Sequence, residues 1–108
     1  MTISEKVTKI LQELQESLKN LYGDRLSHVI LFGSQARGDA VPGSDIDVLV
    51  VLKGSVNPVE ESKHLLDQIV EWNLEYQETV SCLFMDEERF QTRNGPLLRN
   101  IRREGIPL

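Results

Sequence analysis

Apolar residues recur at three- and four-residue steps near the start of the chain: Val7, Ile10, Leu11, Leu14, Leu18 and Leu21. That spacing predicts an amphipathic, core-packing helix over Thr2–Leu21. Thr2 and Glu5 stand at capping-box spacing, and Gly23 suits a left-handed stop. The pattern then changes. Leu26 to Phe32 is a short β-rich run that ends at Gly33-Ser34, a strand-to-turn boundary. Gln35 to Arg37 predicts a short helix broken by Gly38, and Asp39 to Gly43 is a polar loop containing Pro42. From Ser44 to Leu52 the residues Ile46, Val48, Leu49, Val50, Val51 and Leu52 are nearly continuous. Such a strand is expected at the centre of a sheet, covered on both faces.

After a turn at Lys53 to Val56, Asn57 is placed to cap a second helix, with Pro58 at its first position and Glu60 at its third. Val59, Leu65, Leu66, Ile69, Val70 and Trp72 are its expected buried stripe. Gln77 to Met85 reads as a third strand. Asp86 caps a short acidic helix through Phe90, and Gln91 to Gly95 is a loop. Pro96 opens a last helix that Gly105 closes. The order α, β, β, α, β, α, α predicts an α/β (α+β) fold, a small mixed sheet of three to four strands flanked by helices. No stretch shifts in composition as a linker does, so residues 1–108 are expected to form one domain.

Composition narrows the class. The 108 residues are 40% hydrophobic and 27% charged, the balance of an ordinary globule. No apolar run approaches the ~20 residues of a membrane helix. The N-terminus carries Glu5 and no apolar signal core, so no secretory leader is expected, and the cytoplasm is the default compartment. Cys82 is the only cysteine, which excludes an internal disulfide and a cysteine-based metal site. A formal net charge of −5 argues against gripping a nucleic-acid backbone directly. It leaves room for one nucleotide held through a cation.

The chemistry lies in "LFGSQARGDAVPGSDIDVLVVL", Leu31 to Leu52. Side chains alternate along a strand, so Asp45 and Asp47 are expected on one face, roughly 7 Å apart along the backbone. Two carboxylates at the mouth of a buried strand repel each other, and a divalent cation removes the conflict. Mg²⁺ takes hard oxygen ligands, typically one or two carboxylates plus substrate phosphates. Gly33 lets a backbone N–H approach an anion with no Cβ in the way. Ser34 adds a hydroxyl and a second N–H at a helix start. If the two strands are neighbours, the turn and the aspartates meet at one edge. Such a site performs phosphoryl or nucleotidyl transfer by positioning and charge neutralisation.

At these residues the chain resembles the nucleotidyltransferase superfamily that includes DNA polymerase beta. "GSQARGDAVPGSDIDVLV" is similar to the minimal nucleotidyltransferase (MNT) branch, and "PLLRNIRREGIPL" to the end of such domains. The resemblance implies a nucleoside triphosphate donor, ATP, two Mg²⁺ ions on Asp45 and Asp47, and pyrophosphate as leaving group. It implies nucleotide contacts from Gly33, Ser34, Arg37 and Ser44. For Arg37 an ion pair with Asp39 is an equal alternative. The superfamily often carries a third carboxylate on a neighbouring strand. In "QETVSCLFM" Ser81 takes that place, with Glu78 the nearest acid on the opposite strand face and Glu75 and Asp86 more remote.

Domains of this branch are commonly encoded beside a HEPN-domain RNase. The resemblance therefore implies an antitoxin that moves AMP from ATP to a tyrosine of a HEPN toxin. Two alternatives stand beside it: an antitoxin that acts by contact alone, and a stand-alone enzyme using a small molecule or RNA as acceptor. The remaining residues read as structural. His28 and His64 have no second ligand at metal spacing, and Cys82 lies in an apolar strand as a buried thiol. Arg93, Arg99, Arg102 and Arg103 make a basic C-terminal segment that suits a helix end.

Overall fold

The computed structural model describes residues 4–108. The first helix, α1, spans Glu5–Tyr22 with Ser4 as its N-cap. The Ser4 hydroxyl accepts the Val7 N–H at 3.2 Å, satisfying one of the donors that a helix start leaves free. The expected Thr2 cap lies outside the described residues. Gly23, at φ +51°, ends the helix and donates its N–H to the Lys19 carbonyl. A single 3-10 turn, Gly23–Arg25, then leads into the sheet.

The elements that follow are β1 (Leu26–Phe32), α2 (Ser34–Arg37), β2 (Ile46–Leu52), α3 (Pro58–Lys63), α4 (Leu66–Tyr76), β3 (Val80–Asp86), α5 (Glu87–Thr92), α6 (Pro96–Glu104) and β4 (Ile106–Pro107). The sheet has four strands in the order β3-β2-β1-β4. β1 is antiparallel to β2 and to β4, whereas β2 and β3 are parallel. A parallel pair needs a crossover, and α3 with α4 supply it. The mixed sheet flanked by helices is as expected. β4 is not, because two residues carry no period to read.

β2 is central and covered on both faces, as its continuous apolar run predicts. Ile46, Val48, Val50 and Leu52 pack into one core with α1, Leu65 and Trp72. Leu49 and Val51 face the other way, into a second core closed by Leu98 and Ile101 of α6. Alternation therefore assigns Asp47 to the α6 face and its neighbours Ile46 and Val48 to the α1 face.

Beyond shifts of one or two residues at α2 and α5, three departures from expectation bear on the site. The single helix expected after Asn57 is two. Asn57 does cap it, accepting the Glu60 N–H at 3.3 Å, but the chain turns at His64-Leu65 through three-residue hydrogen bonds of 3.2 Å. The turn drops Leu65 into the core beside Trp72. At 3.6 residues per turn Leu66 and Val70 then lie about 100° round from Leu65 and Ile69. They are exposed, as is Val59, so the expected stripe holds for Leu65, Ile69 and Trp72 and fails for those three. β3 begins at Val80 because Gln77 adopts a left-handed φ of +58° to cap α4, a conformation no strand continues. β2 begins at Ile46, so Asp45 precedes the strand.

Gly105 closes α6 against β1. A Cβ there would meet the Ile101 carbonyl oxygen, and it would stand 2.6 Å from Ile30 Cγ2. Gly105→Ala is expected to destabilise the chain by about 2 kcal/mol through overpacking, read as the shift in urea midpoint at unchanged slope. Among the described residues no helix is long and apolar enough to cross a membrane.

Candidate active site

β1 ends where β2 begins, with Phe32 paired opposite Asp47. The Gly33-Ser34 turn therefore leaves the sheet beside the aspartates. Gly33 has φ +75°, and a Cβ built on it would lie 2.5 Å from Asp47 Oδ2. The missing Cβ is what lets that carboxylate lie against the turn's backbone. Ile46, fully buried between the two aspartates, donates its N–H to the Thr79 carbonyl at 2.8 Å. The pair is thus anchored from behind while Asp45 stays exposed and Asp47 is half-buried.

Partial burial pushes the Asp47 carboxyl above its usual range, the Asp45 charge adds to this, and the Arg37 charge opposes it. The folded chain therefore holds this proton more readily than the unfolded chain does. Asp47 carries a stability cost that is absent below the ordinary carboxylate range, grows as pH rises from there to the raised pKa, and is complete above it. A cation at the aspartates offsets that cost. Among the described residues no three of His, Cys, Asp or Glu come together to hold a metal. Two carboxylates fit the Mg²⁺ habit of taking its remaining oxygens from phosphates and water.

The structure places each residue considered for a third carboxylate. Ser81 pairs with Asp47 across the parallel ladder, which puts both side chains on one face. Glu78 precedes the strand and pairs with Lys6 of α1 at 3.5 Å, turned to the α1 layer and away from Asp47. Asp86 caps α5 at the far end of β3, accepting the Arg89 N–H at 2.7 Å, and Glu75 is exposed on α4. The structure brings Gly33, Ser34, Arg37, Asp45 and Asp47 to one end of the two central strands, and leaves these three acids apart from it.

Arg37 takes the ion-pair alternative and extends it. Its Nε lies 3.2 Å from Asp39 and its Nη1 3.5 Å from Glu104. Exposed pairs of this kind are weak, so the guanidinium can exchange partners for a phosphate. The Ser44 hydroxyl accepts the Val41 N–H at 2.9 Å and closes the loop ahead of Asp45.

α6 contributes what the sequence pattern missed. Leu97, Asn100, Ile101 and Glu104 join Phe32, Gly33 and Arg37 around a cleft of about 190 Å³ beside the turn. Fifty-nine residues lie between Arg37 and Leu97, and no motif links the two groups. A larger cleft, about 570 Å³, lies between Gly54–Val56 and Asp86–Arg93. It sits at the other end of β2, a strand roughly 20 Å long, and so apart from the aspartates. Cys82 is a poor nucleophile, since burial pushes its thiol up to about 12. The His28 ring packs 5.0 Å from that of Phe90, a structural role.

Comparison with known proteins agrees with this geometry. A family model described as a nucleotidyltransferase domain matches residues 8–108. A Methanocaldococcus jannaschii protein, provisionally named a protein adenylyltransferase, is 35% identical over 98 residues, spanning 90% of this chain and 92% of that protein. A structure from Sulfolobus solfataricus, provisionally named a nucleotidyltransferase, superposes with a TM-score of 0.65 at 24% identity, over 94% of this chain and 80% of that one. The complex of a tri-AMPylated Shewanella oneidensis HEPN toxin with an MNT antitoxin holds a chain that matches with a TM-score of 0.58 at 13% identity, over 93% and 69%. At these identities the two structures show the shared fold.

Proposed function

The chain belongs to the nucleotidyltransferase domain family, and from that premise we propose that it moves AMP from ATP to a tyrosine hydroxyl of a HEPN RNase toxin and acts as its antitoxin. The observation that carries this reading is the Asp47 carboxylate lying against Gly33, which joins the phosphate turn to the acidic pair. Residues 1–108 work as one domain. Gly33 and Ser34 hold the triphosphate through backbone N–H groups and the Ser34 hydroxyl. Arg37 exchanges its carboxylate partners for a phosphate oxygen, and Ser44 shapes the loop that presents Asp45. Asp45 and Asp47 would hold two Mg²⁺ ions, and these would supply charge neutralisation at the phosphates. The acceptor hydroxyl oxygen forms a bond to the α-phosphorus in line as the bond from that phosphorus to the bridging oxygen of the β-phosphate breaks; the hydroxyl proton passes to solvent and pyrophosphate leaves. The relative named for protein adenylylation and the AMPylated-toxin complex both support a protein acceptor.

The test is intact-mass spectrometry of the protein encoded beside this chain, co-expressed with wild type or with Asp45→Asn/Asp47→Asn. A neighbour heavier by whole AMP units only with wild type is expected. An unmodified neighbour in a stable complex sinks the transfer reading.

A second reading, antitoxin action by contact alone, is favoured by one observation: Ser81 stands opposite Asp47 where a third carboxylate belongs. Ser81→Asp discriminates. It is expected to lower the melting temperature without metal, through repulsion across the ladder, and to raise transfer about tenfold at saturating Mg²⁺. A variant that neutralises the toxin as before with no AMP on it supports contact alone.

A further inference from the structure

α4 buries only one side. Leu65 just before it, with Ile69 and Trp72, faces the core, while Leu66, Val70 and Leu74 are 57%, 49% and 77% exposed. These three recur at four-residue steps and so form one stripe about 12 Å long. Asp67, Glu71 and Glu75 each follow a member of the stripe by one residue and are exposed, so an acidic row runs alongside it. No lysine or arginine lies on this helix. Across residues 58–78 six carboxylates stand against the single Lys63, a balance of −5 that equals the formal net charge of the whole chain. An apolar stripe in a monomeric surface marks an interaction site when it is contiguous. Here the charge beside it states the partner's chemistry.

α4 runs toward the acidic end of the sheet. Asn73 Nδ2 donates to Thr79 Oγ1 at 3.3 Å, and the Thr79 carbonyl accepts the N–H of Ile46, between Asp45 and Asp47. Asn73, one residue before Leu74, is therefore two hydrogen bonds removed from the backbone of Ile46, which lies between the aspartates.

We propose that the outer face of α4 docks a basic amphipathic helix of the protein that carries the acceptor hydroxyl. This rests on the reading that the acceptor is a protein. The apolar side of such a helix covers Leu66, Val70 and Leu74, and its cations face the acidic row. That arrangement combines helix-face docking with charge complementarity. Two α4 faces brought together repel by the same charges, so a symmetric pair of these chains is not the occupant.

The experiment titrates the ¹⁵N-labelled full chain with a synthetic helical peptide of about 18 residues, leucine on one face and lysine elsewhere. Amide shifts concentrated on residues 66–76 are expected. The Leu66→Gln/Val70→Gln/Leu74→Gln variant, with its melting temperature unchanged, is expected to bind about tenfold more weakly or worse. A matched peptide with glutamate for lysine is expected to lose binding to a similar degree. Shifts elsewhere, equal binding by the triple variant, or equal binding of the acidic peptide overturns the proposal. So does a concentration-dependent oligomer of the chain alone that the triple variant dissolves, which assigns the face to the basic α6 surface of a second copy. Co-expression with the neighbouring protein separates the two levels. Full AMP transfer by the triple variant faults the docking face alone. Peptide binding on α4 without any transfer by wild type faults the transfer reading and leaves the face standing.

Discussion

Asp47→Asn and Asp45→Asn chains are expected to fold, to melt at or above the wild-type temperature, and to transfer nucleotide roughly a thousandfold more slowly or not at all. The two halves of that result have one cause. Burial and the neighbouring Asp45 raise the Asp47 pKa, so the ionised pair is a cost to the fold with no cation present. An amide keeps the shape and removes the charge. Its hydrogen-bonding carbonyl still fits beside Gly33, but it cannot neutralise Mg²⁺ or hold it at the transferring phosphate. Urea melts with and without Mg²⁺ give the check. Wild type is expected to gain stability with the metal and the variants to gain little, because only the folded wild type binds it. A wild-type transfer rate in the Asp47→Asn chain would remove the acidic pair from the proposed site.

Gly33→Ala is expected to cost about 1–2 kcal/mol of stability and about a hundredfold in transfer. The stability loss comes from forcing an L side chain to φ +75°, a region where Cβ crowds the backbone. The activity loss is separate. The new methyl would stand 2.5 Å from Asp47 Oδ2, so either the turn or the carboxylate must move by something near 1 Å. Displacements of that size at a transferring centre cost on the order of a hundredfold. Gly43→Ala is the control, since it shares a positive φ but would place its Cβ in open space. It is expected to share part of the stability loss and keep the transfer rate. Equal activity losses in the two variants would show that loop strain, not the position of Asp47, governs the rate.

Much of this architecture was legible because short-range patterns carry it. The α1 stripe, the continuous run of β2, the Asn57 and Asp86 caps and the Pro96 start each depend on residues within one or two turns. The Gly-Ser turn and the Asp-x-Asp pair were legible for the same reason, as residue types at fixed spacing. Glu78 does lie away from Asp47, but it precedes β3 and is held by Lys6 of α1, so strand parity is not what puts it there. What misled was a local pattern that a distant contact outweighs. Val59, Leu66 and Val70 match a helical period, yet the turn at His64-Leu65 follows Leu65 into a core built with α1, and the stripe divides.

Local periodicity and spacing are properties of neighbouring residues, so the chain order alone set α1, the helix starts at Asn57 and Pro96, the central strand and the identity of the acidic pair. The closeness of Gly33 to Asp47, the pairing of Ser81 with Asp47, the cleft under α6, the two-residue β4 and the bare face of α4 are products of register and packing. They join residues tens of positions apart, whose contact depends on which faces the folded sheet has already covered.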